Sequence, residues 1–163
     1  MSGTHKVWRF GADIDTDQLA PGAHMKLGIE GIAPHCLEAV RPEFAAAVRP
    51  GDVIAAGPNF GIGSSREQAA AALVQLGVRA VIAPSFSGLF FRNAFNLGLL
   101  LLTCFAAEQL QDGEQVGLDL QQMQLLTIDG RRLACEPIPQ FLLDMVQVGG
   151  LMNQLRRKLH TRK

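Results

Sequence analysis

The sequence has few cysteines, no net charge and no long apolar segment, and each shortage excludes a class of protein. Its three cysteines, Cys36, Cys104 and Cys135, are odd in number and widely spaced, which argues against a disulfide framework and against a self-contained zinc or iron–sulfur site. Lysine plus arginine equals aspartate plus glutamate at 15 each, and no face interleaves basic with aromatic residues. We therefore expect no nucleic-acid partner.

The chain also lacks a segment that could cross a bilayer. Its longest strongly apolar run, residues 97 to 105, is far shorter than the roughly 20 residues that a membrane-spanning helix needs. The N-terminus lacks the apolar core of a signal peptide, so we expect a cytoplasmic protein without a membrane partner. The 163 residues, 48% hydrophobic and 18% charged, are typical of one globular domain over residues 1–163.

Apolar strands and helical patterns alternate through the middle of the chain. Residues 52–57 and 78–83 have the composition of buried strands, and the alanine-rich run between them ends at Gly77, where a helix C-cap is needed. This order predicts a strand–loop–helix–strand unit with parallel strands and a right-handed crossover. A second helix over 86–97 and a strand over 99–103 repeat the pattern.

The remaining segments complete an α/β pattern. Further elements are predicted as a strand at 7–10, short helices at 34–40 and from 41 to about 49, a meander from 114 with a hairpin turn at Asp129-Gly130, and a final helix at 140–148. The tail from Leu151 is basic, and a solvated helix end or contact with an acidic partner surface explains it.

Glycine and serine are concentrated in residues 59–68, Asn-Phe-Gly-Ile-Gly-Ser-Ser-Arg-Glu-Gln. Ser64 and Glu67 fit a capping box, so a helix is predicted to begin at Ser65, with its positive end facing a carboxylate or phosphate. An ordinary glycine loop before a helix cap explains the same residues. The position of the loop after a strand favours function, because ligands gather beyond the carboxyl ends of parallel strands.

Alternating acids at Asp13, Asp15 and Asp17 resemble the start of a calcium loop. Gln18 and His24 stand where that loop needs glycine and glutamate, so we predict no metal site in this chain. Short Asp and Thr side chains also form self-capped turns, and that alternative stays open here.

Taken in order, these motifs resemble a known family. The chain is similar to the small subunit of 3-isopropylmalate dehydratase, the detached counterpart of the mobile C-terminal domain of aconitase. The motifs that carry the resemblance are Asp13-Ile14-Asp15-Thr16-Asp17, Pro50-Gly51-Asp52, Asn59-Phe60-Gly61-Ile62-Gly63-Ser64-Ser65-Arg66-Glu67, Ser85-Phe86, Arg92-Asn93 and Gly149-Gly150-Leu151.

The resemblance implies a swivelling three-layer β/β/α domain that completes an active site on a large subunit. That partner would hold a [4Fe–4S] cluster, and this chain would hold no cofactor. Ser64 would be the general base, Ser65 would position substrate or base, and Arg66 would bind a carboxylate or the oxyanion. Backbone amides at 63–65, the helix N-terminus and Arg66 would stabilise the serine alkoxide. Substrate would contact Asp15, Thr16, Asp17, Gly22, Ala23, His24, Met25, Gly61 and Gly63.

Several positions depart from the family pattern and leave the substrate open. Ile62, Gln68, Pro58 and Ser87-Gly88 replace the usual Cys, His, Lys and Ala-Arg, and Ala23-His24-Met25 replaces the Arg-Tyr-Leu that is typical of enzymes acting on isopropylmalate. Losing that arginine and phenol changes the charge and shape of the pocket. The alternatives are a related hydroxy acid of the dimethylmalate, homoaconitate or citraconate type, and a non-catalytic module for carboxylate binding or assembly.

Overall fold

A seven-stranded mixed sheet forms the centre of the protein. The computed structural model describes residues 3–161, and Met1, Ser2, Arg162 and Lys163 lie outside that range. The strands follow the order β4-β3-β2-β1-β5-β6-β7 across the sheet. Their bounds are β1 Thr4–Arg9, β2 Val53–Ala55, β3 Ala80–Ala83, β4 Leu100–Thr103, β5 Gln115–Asp119, β6 Gln124–Thr127 and β7 Arg132–Ala134.

The sheet has a parallel half and an antiparallel half. Strands β1 to β4 pair in parallel, with Val7 opposite Val53 and Val53 opposite Ala80. Strands β5 to β7 form the predicted meander, which joins β1 in antiparallel fashion. The two edges meet, because the amide of Glu136, just after β7, donates to the carbonyl of Thr103 in β4 at 2.8 Å.

Seven helices surround the sheet within residues 3–161. The longer ones, α4 to α7, follow strands or close the chain, whereas α1 to α3 are single turns in the long connection from β1 to β2. They are α1 Thr16–Leu19, α2 Gly28–Ile32, α3 Phe44–Ala47, α4 Gln68–Gln75, α5 Gly88–Asn96, α6 Gln140–Val148 and α7 Leu151–Thr161, with 3₁₀ turns at Gly22–Leu27, Ala33–His35 and Ala107–Gln109.

The parallel half carries most of the core. Every residue of β2 and β3 is buried on both faces, as expected for a parallel sheet covered by helices. Phe90 and Phe95 of α5 are buried against it, as is Phe60 at the start of the glycine–serine loop. This packing fixes the ends of β2 and β3, and the loops that follow them therefore leave the sheet at defined positions.

The predicted strand–helix–strand units are confirmed. Strands β2 and β3 are parallel and flank α4, and β3 and β4 are parallel and flank α5. Gly77 and Gly98 follow those helices with φ of 83°, the left-handed conformation that the C-cap prediction requires. The final helix has the predicted bounds, and Gly149 ends it in the left-handed region.

The predicted helix start at Ser65 is wrong. Helix α4 begins at Gln68, and Glu67 at its N-cap is already helical and makes no capping hydrogen bond through its side chain. The capping box of this region is instead at α1, where the Asp15 carboxylate accepts from the Gln18 amide and the Gln18 side chain accepts from the Asp15 amide. Ser64 to Arg66 therefore lie before the helix, and tertiary contacts hold them in place.

The segment between α1 and α3 also differs from the prediction. Gly22–Leu27 forms a 3₁₀ turn. In place of the helix predicted over 34–40, the chain has a second 3₁₀ turn that ends at His35 and then non-helical turns. Pro34 has no amide to donate. Leu37 has a φ of 61°, which a continuing right-handed helix does not allow.

The C-terminal segment forms the amphipathic helix α7, which carries Arg156, Arg157 and Lys158 of the predicted basic tail. Arg162 and Lys163 of that tail lie outside the described residues. Among residues 3–161, no helix combines the length and apolar composition that crossing a membrane requires.

Candidate functional site

Two loops run side by side at the carboxyl ends of β1 and β2. The amide of Gly61 donates to the carbonyl of Ile14 at 2.7 Å, and the amide of Thr16 donates to the carbonyl of Ile62 at 2.8 Å. Asn59 adds a side-chain bond to Asp13 at 2.9 Å. The acidic loop and the glycine–serine loop are thus one structural unit, although 40-odd residues separate them in the chain.

Glycine is required where the two loops touch. Gly63 has a φ of 116°, and a methyl group at this position would lie 2.7 Å from the Thr16 hydroxyl oxygen. That distance is shorter than a non-bonded contact allows. The absence of a side chain at Gly63 therefore lets Thr16 approach the residue that follows, Ser64.

Ser64 is held by Thr16 through two polar contacts. The Ser64 amide donates to Thr16 Oγ1 at 3.1 Å, and the two hydroxyl oxygens are 3.3 Å apart. Thr16 is buried, whereas Ser64 is exposed. Because Thr16 Oγ1 accepts the amide proton, its own hydroxyl proton can point to Ser64 Oγ. The arrangement presents one oriented serine hydroxyl at the surface.

Arg66 is tied to the acidic loop. Its Nη1 donates to the carbonyl of Ala20 at 2.9 Å and to Asp17 Oδ1 at 3.2 Å. Asp17 also accepts from the amide of Gly22 at 2.9 Å. A cation is thereby fixed two residues after Ser64 in the chain, with a carboxylate already paired to it.

Asn93 of α5 supports the loop from the other side. Its Nδ2 donates to the carbonyl of Ser65 at 3.1 Å. Arg92-Asn93 was a family motif at the sequence level, but its contact with Ser65 was not predicted because no local spacing relates the two segments. Asn93 lies in the second half of α5.

The site lies open on the protein surface. Ser64 and Ser65 are exposed, and a cavity of about 900 Å³ lies elsewhere, lined by residues such as Gly77, Gly98 and Leu143. The groups around Ser64 form a polar platform without walls. Such a surface presents a hydroxyl group and a cation but does not by itself exclude water.

A family model and several known proteins match this chain. Residues 44–107 match the family model described as the aconitase C-terminal domain. The methanogen homoaconitase small subunit of Methanothermobacter thermautotrophicus is 42% identical over 158 residues, which are 96% of this chain and 92% of that protein. The 3-isopropylmalate dehydratase small subunit of Nautilia profundicola is 40% identical over 162 residues, which are 98% of each chain.

A crystal structure of 3-isopropylmalate dehydratase from Methanocaldococcus jannaschii matches the fold with a TM-score of 0.92. Sequence identity is 35%, and the match covers 99% of this chain and 98% of that chain. This chain belongs to the 3-isopropylmalate dehydratase small-subunit family. The predicted resemblance is confirmed, and so is the predicted fold class, the α/β domain of the aconitase C-terminal type.

Most of the substrate-contacting residues predicted from this dehydratase family come together. Asp15, Thr16 and Asp17 lie against the loop that carries Gly61, Gly63, Ser64 and Arg66. Gly22 is linked to this group only through Asp17. Ala23, His24 and Met25 lie in the 3₁₀ turn Gly22–Leu27, and His24 contacts His35 and Glu38 instead of the serine loop.

One of the three predicted donor groups for a serine alkoxide, the helix N-terminus, is corrected, and one of the backbone amides predicted at 63–65 has another partner. The positive end of α4 is not next to Ser64, because the helix begins at Gln68. The Ser64 amide is already used by Thr16. Thr16 and Arg66 are the groups that the structure brings near, and Thr16 was predicted only as a substrate contact.

The cysteines of this dehydratase-family chain do not fit an iron–sulfur cluster. Cys36 is fully buried and lies apart from the other two. A hydrogen bond with Cys135 lowers the pKa of the Cys104 thiol to about 7, and the same contact raises the pKa of Cys135. One thiol pair is too few ligands for a cluster.

The pKa of Asp17 is a first test of the site. Hydrogen bonds from the Gly22 amide and then from Arg66 hold this pKa below the usual 3.8. Because the folded value is depressed, ionised Asp17 stabilises the fold above about pH 4, and that contribution is lost as the pH falls through the folded value. In Arg66→Ala the pKa should rise but stay below 3.8, because the larger contribution from Gly22 remains.

Carbon-detected NMR titration of the Asp17 carboxyl group measures this shift. Arg92→Ala is the matched control, since Arg92 is an exposed arginine of α5 and should leave the titration unchanged. The contact between Asp17 and Arg66 would be contradicted if the pKa of Asp17 were not lowered in the wild-type chain, or if Arg66→Ala left that pKa unchanged.

Proposed function

We propose that this chain is the small subunit of a hydro-lyase that interconverts 2- and 3-isopropylmalate by dehydration and rehydration. The observation that carries the proposal is an exposed serine, oriented by a buried threonine and flanked by a fixed arginine, in a chain of the 3-isopropylmalate dehydratase small-subunit family. The platform is open, as expected for one half of an active site. A large subunit would cover it and carry the [4Fe–4S] cluster, which would act as the Lewis acid for the substrate hydroxyl.

Ser64 would act as the base in this reaction. In dehydration its Oγ takes the proton from the carbon next to a carboxylate, the hydroxyl leaves the neighbouring carbon, and a double bond forms between them. Rehydration adds a proton to the carbon that lost the hydroxyl and a hydroxyl to the carbon that lost the proton, which converts one isomer into the other. Serine is a weak base in water, so the reaction needs groups that stabilise its alkoxide.

Thr16 and Arg66 supply that stabilisation in our proposal. The Thr16 hydroxyl oxygen accepts the Ser64 amide and lies 3.3 Å from Ser64 Oγ, so its own proton would be donated to the alkoxide. Arg66 places a positive charge nearby, and its Nη1 is held by Ala20 and Asp17. A substrate carboxylate would bind the remaining guanidinium donors, with Asp17 keeping the side chain in place.

Replacing Thr16 tests this arrangement. Thr16→Val keeps the shape but removes the hydroxyl, and the loss of a hydrogen bond to a charged group costs about 1.5–3 kcal/mol. We expect kcat of the assembled enzyme to fall about ten- to hundredfold, the equivalent of that energy, with KM little changed. Thr16→Ser restores the hydroxyl and should recover most of kcat. Equal losses in both variants would assign Thr16 a packing role only.

Reconstitution tests the function itself. The chain is co-expressed with the large subunit of the same organism, loaded anaerobically with iron and sulfide, and followed by the ultraviolet absorbance of the unsaturated diacid. We expect turnover of isopropylmalate only when both chains are present. Absence of turnover with every hydroxy acid, together with calorimetric binding of a dicarboxylate by the chain alone, would favour a non-catalytic binding module.

A second substrate class has one specific observation in its favour. A relative that is 42% identical is a methanogen homoaconitase small subunit, and the rim segment Ala23-His24-Met25 departs from the pattern expected for isopropylmalate. The same assay should therefore include homocitrate, dimethylmalate and citraconate. A higher kcat/KM for homocitrate than for isopropylmalate would reassign the substrate and leave the reaction type unchanged.

A further inference from the structure

Two histidines and a glutamate form a compact cluster outside the serine loop. The rings of His24 and His35 are stacked, with centroids 3.6 Å apart and planes within 6° of parallel. The Glu38 carboxylate contacts both of them: its Oε2 lies 2.8 Å from His35 Nδ1, and its Oε1 lies 3.6 Å from His24 Nε2. One ligand atom from each residue lies within 4.8 Å of the other two.

Separate segments of the chain build this cluster. His24 lies in the 3₁₀ turn Gly22–Leu27, whereas His35 ends the 3₁₀ turn after α2. Glu38 is directed back to the rings by Leu37, which is buried, has a φ of 61° and donates its amide to the carbonyl of Gln18 at 2.8 Å. The backbone around Glu38 is therefore fixed by the core and by the connection that follows α1.

We propose that His24, His35 and Glu38 bind a divalent metal ion of the zinc class, with water completing its coordination. Two imidazoles and one carboxylate are a ligand set that zinc accepts at open sites. Calcium and magnesium prefer oxygen ligands throughout, so two nitrogen ligands favour a first-row transition ion. The three side chains are half-buried, which leaves the ion room to enter.

Metal binding would replace the hydrogen bond within the cluster. A neutral His35 that donates from Nδ1 to Glu38 has a proton where the metal would bind, and that proton must leave or move to Nε2. Glu38 would turn one oxygen from the imidazole to the ion. At least one imidazole would also rotate, because the ring planes lie within 6° of parallel and their in-plane nitrogen lone pairs do not converge on one point. The three ligand atoms already lie within 4.8 Å of one another.

The site would fix the segment that we propose lines the substrate rim. Ala23 and Met25 flank His24, so an ion that joins His24 to His35 and Glu38 would hold the 3₁₀ turn against the segment after α2. This consequence rests on the proposed function. Metal binding itself does not, and its test requires neither the partner nor turnover.

Titration of the full chain without an affinity tag tests the proposal. Zinc chloride is added in competition with a chromophoric chelator, and cobalt chloride is added separately to record visible d–d absorption. We expect one ion per chain and a cobalt spectrum without thiolate charge-transfer bands. His24→Gln, His35→Gln and Glu38→Gln should each weaken binding at least about tenfold, since even indirect changes around a metal ligand cost that much.

Matched variants separate this site from general metal affinity. His160→Gln removes an exposed histidine of α7, and Glu30→Gln removes an exposed glutamate of α2; both should bind like the wild-type chain. Zinc should raise Tm of the wild-type and control chains, because a ligand that binds only the folded state stabilises it, but not of the three cluster variants. Circular dichroism at 25 °C confirms that each variant is folded.

Two results would overturn the proposal. In one, the wild-type chain binds zinc no more tightly than the double variant His24→Gln/His35→Gln, and the cluster is then an ordinary set of hydrogen bonds. In the other, one ion binds with equal affinity to wild-type and cluster variants and the cobalt complex shows thiolate bands, which would assign the ion to Cys104 and Cys135.

Discussion

Ser64→Ala is expected to lower kcat of the assembled enzyme by about 10²–10⁴-fold, the contribution that a positioned general base makes. KM should change little, because Arg66 and the acidic loop remain. The Ser64 amide still donates to Thr16 when the hydroxyl is removed, so the loop keeps its backbone bond. Steady-state kinetics of the reconstituted, cluster-loaded complex measure both constants.

The same variant should fold like the wild-type chain. Ser64 is exposed and does not cap α4, so the free energy of unfolding should change by no more than about 0.5 kcal/mol. Ser87→Ala is the matched control: Ser87 makes no capping bond through its side chain at α5, and its loss should leave kcat unchanged. Full activity of Ser64→Ala in a loaded complex would refute the assigned base.

Gly61→Ala is expected to destabilise the chain by about 2–5 kcal/mol. Gly61 has a φ of 86°, and an added methyl carbon would lie 2.2 Å from Cγ of Phe90. Phe90 is buried and packs edge-on against Phe60. Neither ring can move away from the added methyl group without disrupting the packing of the core. Overpacking costs about 1–3 kcal/mol, and the left-handed backbone adds about 1–2 kcal/mol for a residue with a side chain.

Chemical denaturation measures this loss, and Gly88→Ala serves as the control. Gly88 is the first residue of α5 and has open space where a methyl group would lie, so alanine there should leave stability unchanged or slightly higher. An unfolding midpoint for Gly61→Ala equal to that of the wild-type chain would contradict the described packing. A variant that is too unstable to purify, beside a normal Gly88→Ala, agrees with it.

The elements that the sequence predicts well are those in which local and global preferences agree. Residues 53–55 and 80–83 are apolar throughout, and glycines with positive φ follow the intervening and next helices at Gly77 and Gly98. Period-two alternation and Asp129-Gly130 likewise predicted the antiparallel strands β5 to β7. In these segments a short window of sequence contains most of the information that determines the structure.

The capping box is a feature that the local sequence did not determine. Ser64 to Glu67 and Asp15 to Gln18 both fit the same four-residue pattern, yet only the second forms the box. Ser64 is instead held by Thr16, and the carbonyl of Ser65 by Asn93. Contacts between distant segments decided between two equivalent local patterns, and a single sequence does not reveal them.

The sequence predicted which residues belong to the candidate site, but not how they are arranged. Family motifs identified Ser64, Arg66 and Asp17, which the structure brings together, but not that Arg66 would already be paired with Asp17. Nor did spacing relate His24 to His35 and Glu38, because those residues meet through two 3₁₀ turns, Gly22–Leu27 and Ala33–His35, that the sequence did not predict. Tertiary placement of short, irregular segments was the missing information in both cases.

Deuterium incorporation from D₂O tests most directly whether Ser64 moves the proton at carbon. The assembled enzyme is incubated with substrate in D₂O, and NMR follows label entering the carbon-bound positions. Wild-type and Ser87→Ala complexes should incorporate label as the isomers interconvert. A Ser64→Ala complex that still binds substrate by calorimetry should incorporate label at least about a hundredfold more slowly. Incorporation by Ser64→Ala at the wild-type rate would contradict the account.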